Sequence, residues 1–216
     1  MALSWPLAVD QFFDMLPIKR VTFKLGRSST FSETGGGELI DHKIGARLWQ
    51  GEIQLDKDFH RVWAAIEARL ALLEEPGASL LVRDIRLPGP IADPDGSLLG
   101  ANAVKINTLD ANNREFSLKG LPDGYVISQG DLLGFSYGSN PVRHAFHRVV
   151  TGAVAAIGGV TPLIEVTPFI RQGVKTLAPV TLVAPVCKAK IVTAEYGASR
   201  ATISQGGTLS WMQTLR

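Results

Sequence analysis

Between residues 58 and 73 the apolar side chains Phe59, Val62, Trp63, Ile66, Leu70 and Leu73 recur at steps of three and four, which places them on one stripe of an α-helix. Arg61, Glu67 and Arg69 fall on the opposite side. Asp56 or Asp58 offers a side-chain oxygen as N-cap, and Pro76-Gly77 ends the helix because proline has no N–H to continue the ladder. Such a stripe needs a surface to lie on, and the flanking segments read as strands.

Residues 19–25 and 46–55 are the two strands before the helix. In the second, Leu48, Ile53 and Leu55 do not share one parity, which predicts a bulge or local twist at Gly51. Residues 26–45, with Ser28-Ser-Thr, Thr34-Gly-Gly-Gly and Asp41-His-Lys, are too polar and glycine-rich to fill a core. They predict a protruding hairpin or a mobile loop, an arm that gains stability only by pairing with something else.

After the helix, 79–84 is a further strand, and the turn-dense clusters Leu87-Pro-Gly-Pro and Asp93-Pro-Asp-Gly mark a domain boundary. Beyond it, short strands at 103–107, 115–118, 132–137, 144–151, 161–167 and 180–183 alternate with turns such as Pro122-Asp-Gly and Gly158-Gly. That rhythm predicts a small antiparallel barrel or sandwich. Residues 188–192 and 201–210 read as strands that return to the first sheet. The predicted organisation is a mainly β chain in two parts. A discontinuous domain of residues 1–90 and 185–216 carries the helix, and a small β insertion occupies 95–184.

At 216 residues the chain can bury a core without disulfides or metals. The 22 Lys and Arg residues are scattered among 20 Asp and Glu, for a net charge of +2, so no sustained positive field points to direct nucleic-acid recognition. Charged residues make up only 19%, which fits either a surface partly covered by protein or a turn-rich β domain. A lone Cys187 forms no intramolecular disulfide and points to cytoplasmic synthesis. The N-terminus lacks a basic segment followed by an apolar one, and no run approaches roughly 20 apolar residues, so neither secretion by signal peptide nor membrane insertion is expected.

The search for chemistry predicts no catalytic, cofactor or metal residue. His144 and His147 are three apart in a strand-like run, which sends them to opposite faces. Cys187 sits in the apolar run Ala184-Pro-Val-Cys, where a thiol is buried and inert. Gly35-Gly-Gly lacks the Lys-Ser or Lys-Thr of a phosphate loop. The acidic pairs Asp93 with Asp95 and Glu74 with Glu75 lie in turns or at a helix end. Tyr125, Phe135, Tyr137 and Phe146 either stack on sugar rings or fill the barrel interior. Trp63 belongs to the helix stripe, while Trp5 and Trp211, near the termini, are candidate anchors of subunit contacts.

Several segments carry a family resemblance that spans most of the chain beyond about residue 20. They are Arg47-Leu-Trp-Gln-Gly-Glu-Ile, the helix with Ala64-Ala-Ile-Glu-Ala, and Leu80-Leu-Val-Arg-Asp-Ile-Arg-Leu-Pro. In the insertion they are Glu115-Phe-Ser-Leu-Lys-Gly-Leu-Pro-Asp-Gly-Tyr-Val, Gln129-Gly-Asp-Leu-Leu-Gly-Phe and His147-Arg-Val-Val. Together they resemble the distal tail proteins of long-tailed bacteriophages, minor tail proteins at the junction of tail tube and tip.

The resemblance implies a β-sandwich with one helix, six copies of which close into a ring whose arms and strands pair between neighbours. It also implies an outer barrel of the oligonucleotide/oligosaccharide-binding type. The expected partners are copies of the chain itself, the tail tube protein, and the hub and fibre proteins. The expected location is the virion, after synthesis in the bacterial host cytoplasm. On this reading the chain is a structural subunit and not an enzyme. Arg27, Phe31, Glu33 and Leu39 in the arm, with Trp5 and Trp211, are its assembly residues. The alternative is a carbohydrate-binding module for host attachment, which would use Tyr125 and Tyr137.

Overall fold

The computed structural model describes residues 3–216. Strand β1 (Ile18–Leu25) leads into β2 (Ser29–Glu33), β3 (Leu39–Lys43), β4 (Trp49–Leu55) and the two-residue β5 (Asp58–Phe59), and then α1 (His60–Leu73) and β6 (Leu80–Arg83). Next come β7 (Lys105–Leu109), β8 (Glu115–Lys119), β9 (Val126–Ile127), β10 (Leu132–Tyr137), β11 (Arg143–Val149), β12 (Ala153–Val154), β13 (Ile164–Thr167) and β14 (Val180–Thr181). The chain ends with β15 (Val186–Glu195), β16 (Ser199–Arg200), β17 (Ile203–Ser204) and β18 (Thr208–Gln213). The fold is thus mainly β with one helix, as the periodicity predicts. Its contacts divide into a unit of residues 1–80 and 189–214 and a unit of 81–188 with 215–216. The first segment of the discontinuous unit thus ends about ten residues before residue 90, and its second begins four residues after residue 185, the bounds read from the sequence.

In the first unit β1, β4, β18 and β15 lie side by side in that order, all antiparallel, with β6 beyond β15 where the chain passes into the second unit. Strand β4 begins at Trp49, so Leu48 is outside its alternation, and Trp49, Gly51, Ile53 and Leu55 all face inward. The expected bulge at Gly51 is therefore absent. Gly51 keeps regular register with Phe23 on one side and Trp211 on the other, and the irregularity lies on β1 between Ile18 and Arg20. Glycine is required at 51 for space. A Cβ there would come within 2.2 Å of the Thr22 carbonyl oxygen and 2.7 Å of the Trp211 ring.

Trp211 is only 1% exposed and packs against Phe23, so it is a core residue and not a surface anchor for subunit contacts. Its position near the C-terminus is misleading because β18 is an inner strand of the sheet.

The helix starts at His60, two residues later than its periodicity indicates, and neither Asp56 nor Asp58 caps it. Asp58 and Phe59 instead form β5, paired with β17, and the His60 N–H donates to the Thr202 carbonyl at 2.9 Å. The stripe Trp63, Ile66, Leu70 and Leu73 is buried, while Phe59 and Val62 are exposed. Arg69 reaches from the helix to the Gln11 carbonyl and the Met15 sulfur, holding the N-terminal 3-10 turns. The single strand expected over 201–210 is split at Gly206, whose φ of +31° and tight approach to the Leu55 carbonyl separate β17 from β18.

The second unit is a six-stranded antiparallel sheet in the order β14-β10-β11-β13-β8-β7. Three backbone hydrogen bonds bring its ends together. Ile106 N–H donates to Ala178 O at 3.0 Å, Leu177 N–H to Ile106 O at 2.8 Å, and Val180 N–H to Val104 O at 2.9 Å. The sheet is thereby nearly closed into a barrel, with Phe116 and Phe135 packed edge to face at 6.3 Å in its core. Two buried carboxylates clamp its loops. Asp93 accepts the N–H groups of Leu98 and Leu99 and the Tyr125 hydroxyl, and Asp131 accepts those of Ile91 and Ser128.

Candidate functional site

The arm over residues 26–45 is an antiparallel hairpin of β2 and β3 in continuous register, with Ser29 opposite Lys43, Phe31 opposite Asp41 and Glu33 opposite Leu39. Its tip is built by Thr34. The Thr34 carbonyl accepts the Gly37 N–H at 2.9 Å, its N–H donates to Glu38 O, and its hydroxyl oxygen accepts the Glu38 N–H. Gly37 sits at φ +82°, a left-handed position that glycine occupies without strain. The glycine run flagged as a weak phosphate-loop match is this hairpin tip.

At the root, Gly26 N–H donates to Leu48 O at 2.8 Å and Arg47 Nε donates to the Gly26 carbonyl at 3.1 Å. Arg27 lies over the Phe31 ring at 3.5 Å from its centroid, and its Nε donates to Ser29 Oγ at 3.1 Å. Every residue from Phe31 to Arg47 except Thr34 is exposed. Phe31, Leu39, Ile40 and Ile44 therefore present large apolar side chains to solvent. A lone two-stranded ribbon is marginal in water, because it orders a backbone without burying an apolar face.

Of the residues expected to act in assembly, Arg27, Phe31, Glu33 and Leu39 share one face of this ribbon, since residues two apart on a strand point the same way. Trp5 is 42% exposed and lies outside the arm. Trp211 is buried, as above. Tyr125 and Tyr137, expected to touch sugars on the alternative reading, are 5% and 6% exposed in the barrel core. Burial raises the pKa of both phenols, and the Tyr125 hydroxyl is occupied by Asp93. Tyr137 shares the inward parity of Phe135 on β10, whereas Tyr125 lies just before β9, outside any strand, and is packed in the same core with its hydroxyl on Asp93.

The remaining chemical candidates resolve into structural roles. His147 is fully buried, stacked on Phe135 at 5.3 Å between centroids, and its Nδ1 donates to the Pro168 carbonyl at 2.8 Å. Burial, reinforced by Arg171, lowers its pKa to about 4, against a partial offset from the Pro168 carbonyl. His144 is only part-buried, within 3.4 Å of Ser136 Oγ. Burial and Lys188 both lower its pKa. Cys187 is buried, which pushes its thiol up. Burial favours the protonated form of Asp93, but the donors of Leu98, Leu99, Tyr125 and Ser97 outweigh it and hold the carboxyl below the usual range. Among the described residues no three His, Cys, Asp or Glu side chains converge on a metal position. No helix among them is long and apolar enough to cross a membrane.

A second exposed surface of the first unit escaped the sequence reading. The sheet β16-β17-β5 sets Arg200, Ile203 and Phe59 in one cross-strand row, with Ile203 42% and Phe59 59% exposed. The Arg61 guanidinium lies 5.9 Å from the Phe59 ring centroid. On the opposite face, buried Ser204 bonds His60 Nδ1 at 3.0 Å and Ser199 Oγ at 3.1 Å. Strands of two residues are shorter than any period that reveals them. The available signals were the glycines after Ser204 and the polar run Asp56-Lys-Asp ahead of the helix.

In comparisons with known proteins, no family model matches the chain and no curated protein matches it.

Proposed function

We propose that this chain is a structural subunit of a bacteriophage tail tip, which assembles with copies of itself into a ring joining the tail tube to the hub and fibre proteins. The observation that carries the reading is the arm: a five-rung ribbon of β2 and β3 with Phe31, Leu39, Ile40 and Ile44 left in water. Apolar side chains held out on an ordered ribbon gain free energy when another protein covers them. The segment resemblance supplies the tail-tip context and the six-fold count. Free energy in this molecule is directed to binding between proteins, with the acidic groups Asp93 and Asp131 spent on holding loops.

The carbohydrate-binding alternative loses its two named aromatics, because Tyr125 and Tyr137 are interior. Mass measurement of the purified chain, alongside a variant with residues 28–44 replaced by a short turn, tests the assembly reading. A ring of defined stoichiometry that is lost in the variant is expected. A monomeric wild-type chain, or a variant that assembles as well as the wild type, overturns the reading.

A further inference from the structure

We propose that the end of the barrel unit where β10 turns into β11 holds a single oxyanion, a carboxylate or a phosphate, between the guanidinium groups of Arg143 and Arg171 and the hydroxyl of Tyr137. Tyr137 and Arg143 face each other on the last rung of the β10–β11 pair, so their side chains point to one side of the sheet. Phe135 and His147, two and four positions along the same strands, share that inward side. The Tyr137 ring packs 6.4 Å from that of Phe135. Arg143 lies 6.0 Å from the Tyr137 ring centroid, and its Nε donates to the Leu215 carbonyl at 3.2 Å.

Tyr137 is 6% exposed, yet its hydroxyl has no hydrogen-bond partner among the described residues, whereas the equally buried Tyr125 gives its own to Asp93. A phenol oxygen left unbonded in such a place forgoes a hydrogen bond that a ligand can supply. Arg143 and Arg171, both half-buried, are paired with no carboxylate among those residues. Burial raises the pKa of Tyr137 and the charges of Arg171 and Arg143 act against it. Burial lowers that of His147, and Arg171 lowers it further, so both positive charges bear on this one end of the barrel.

Two cations beside a hydroxyl, without a counter-charge, repel one another, and an anion between them removes that cost. The forked donors of a guanidinium fit the oxygens of a carboxylate or a phosphate. The frame is fixed as well. Arg171 follows Pro168, whose carbonyl is held by His147, and Ile170, whose N–H donates to Asn113 O at 2.8 Å. Barrel mouths with a few convergent polar groups are common binding places.

Isothermal titration of the full-length chain at constant ionic strength tests the site, with sodium phosphate in one arm and sodium glucuronate in the other. Saturable binding of one equivalent per chain is expected in at least one arm, and the tighter arm identifies the oxyanion. Arg171→Gln, which removes a charged donor, is expected to weaken it about tenfold or more. Tyr137→Phe, which removes a neutral one, is expected to weaken it about fivefold. Arg171→Lys should retain part of the affinity, and Tyr196→Phe, in the first unit, all of it. Urea midpoints matching the wild type show that the weakened variants are folded. No saturable heat in either arm, or binding that Arg171→Gln and Tyr137→Phe leave intact, overturns the proposal.

Discussion

The rings of Phe23 and Trp211 lie 4.6 Å apart across Gly51, which sits between them on the central strand and contributes no side chain. Three adjacent strands are thus locked by two aromatics meeting over a glycine, and Trp49 joins them with its ring 5.5 Å from Phe23.

Adding one methyl at this point should be felt throughout the first unit. Gly51→Ala drives a Cβ into the Thr22 carbonyl oxygen and the Trp211 ring, and overpacking of this kind costs about 1–3 kcal/mol or more. Trp211→Ala should cost about 3–5 kcal/mol through the cavity it leaves. Urea denaturation of each variant measures both, and an unchanged midpoint for Gly51→Ala would contradict the packing described.

Acid should destabilise the barrel unit through His147. Its ring stays neutral in the folded chain down to about pH 4, whereas in the unfolded chain it takes up a proton below its ordinary 6.5. The unfolded state binds more protons between these values, so stability complete above pH 6.5 is lost as pH falls toward about 4. The loss amounts to about 3 kcal/mol. His147→Leu should flatten the pH dependence of unfolding in that window. An undiminished slope in the variant would assign it to other groups.

Tyr125 and Asp93 should behave as a loop clamp. Tyr125→Phe deletes one bond to the carboxylate and should lower Tm by roughly 2–4 °C. Asp93→Ala deletes the acceptor for Leu98, Leu99 and Ser97 as well, and should lower it further. Thermal scans in one buffer rank the two, and the reverse order would show that the loop is held by something else.

Replacing arm residues 28–44 by a short turn should leave the unfolding free energy of the isolated chain within about 0.5 kcal/mol of wild type, because these side chains bury almost nothing. Chemical denaturation below the assembly concentration checks this. A large loss would mean that the arm contributes to the core of its own chain.

The long strands, the helix stripe and the polar arm were legible because each repeats its period over several residues, as in Trp49, Gly51, Ile53 and Leu55. The parity argument at Gly51 failed for a small reason: it counted Leu48, one residue before the strand begins. Trp211 was misplaced because nearness to a chain end says nothing about sheet position, and β18 lies between two other strands. The helix start and the row of Arg200, Ile203 and Phe59 stayed hidden for a common cause. Both depend on β5 pairing with a two-residue strand more than 140 positions away, a contact no local pattern encodes. Arg27, Phe31, Glu33 and Leu39 were grouped as arm residues under the family resemblance; the register puts Phe31, Glu33 and Leu39 on one face, and Arg27 lies over the Phe31 ring.

The bonds that join Val104 and Ile106 to residues 177–180 also bear on how the chain can evolve. A barrel sealed in this way offers almost no ladder for a stranger's backbone to extend, so its loops can lengthen, shorten or change charge with little danger of runaway polymerisation. Sequence drift should therefore accumulate fastest in the turns of the second unit. The first unit, obliged to keep fitting whatever covers its arm, should diversify slowly.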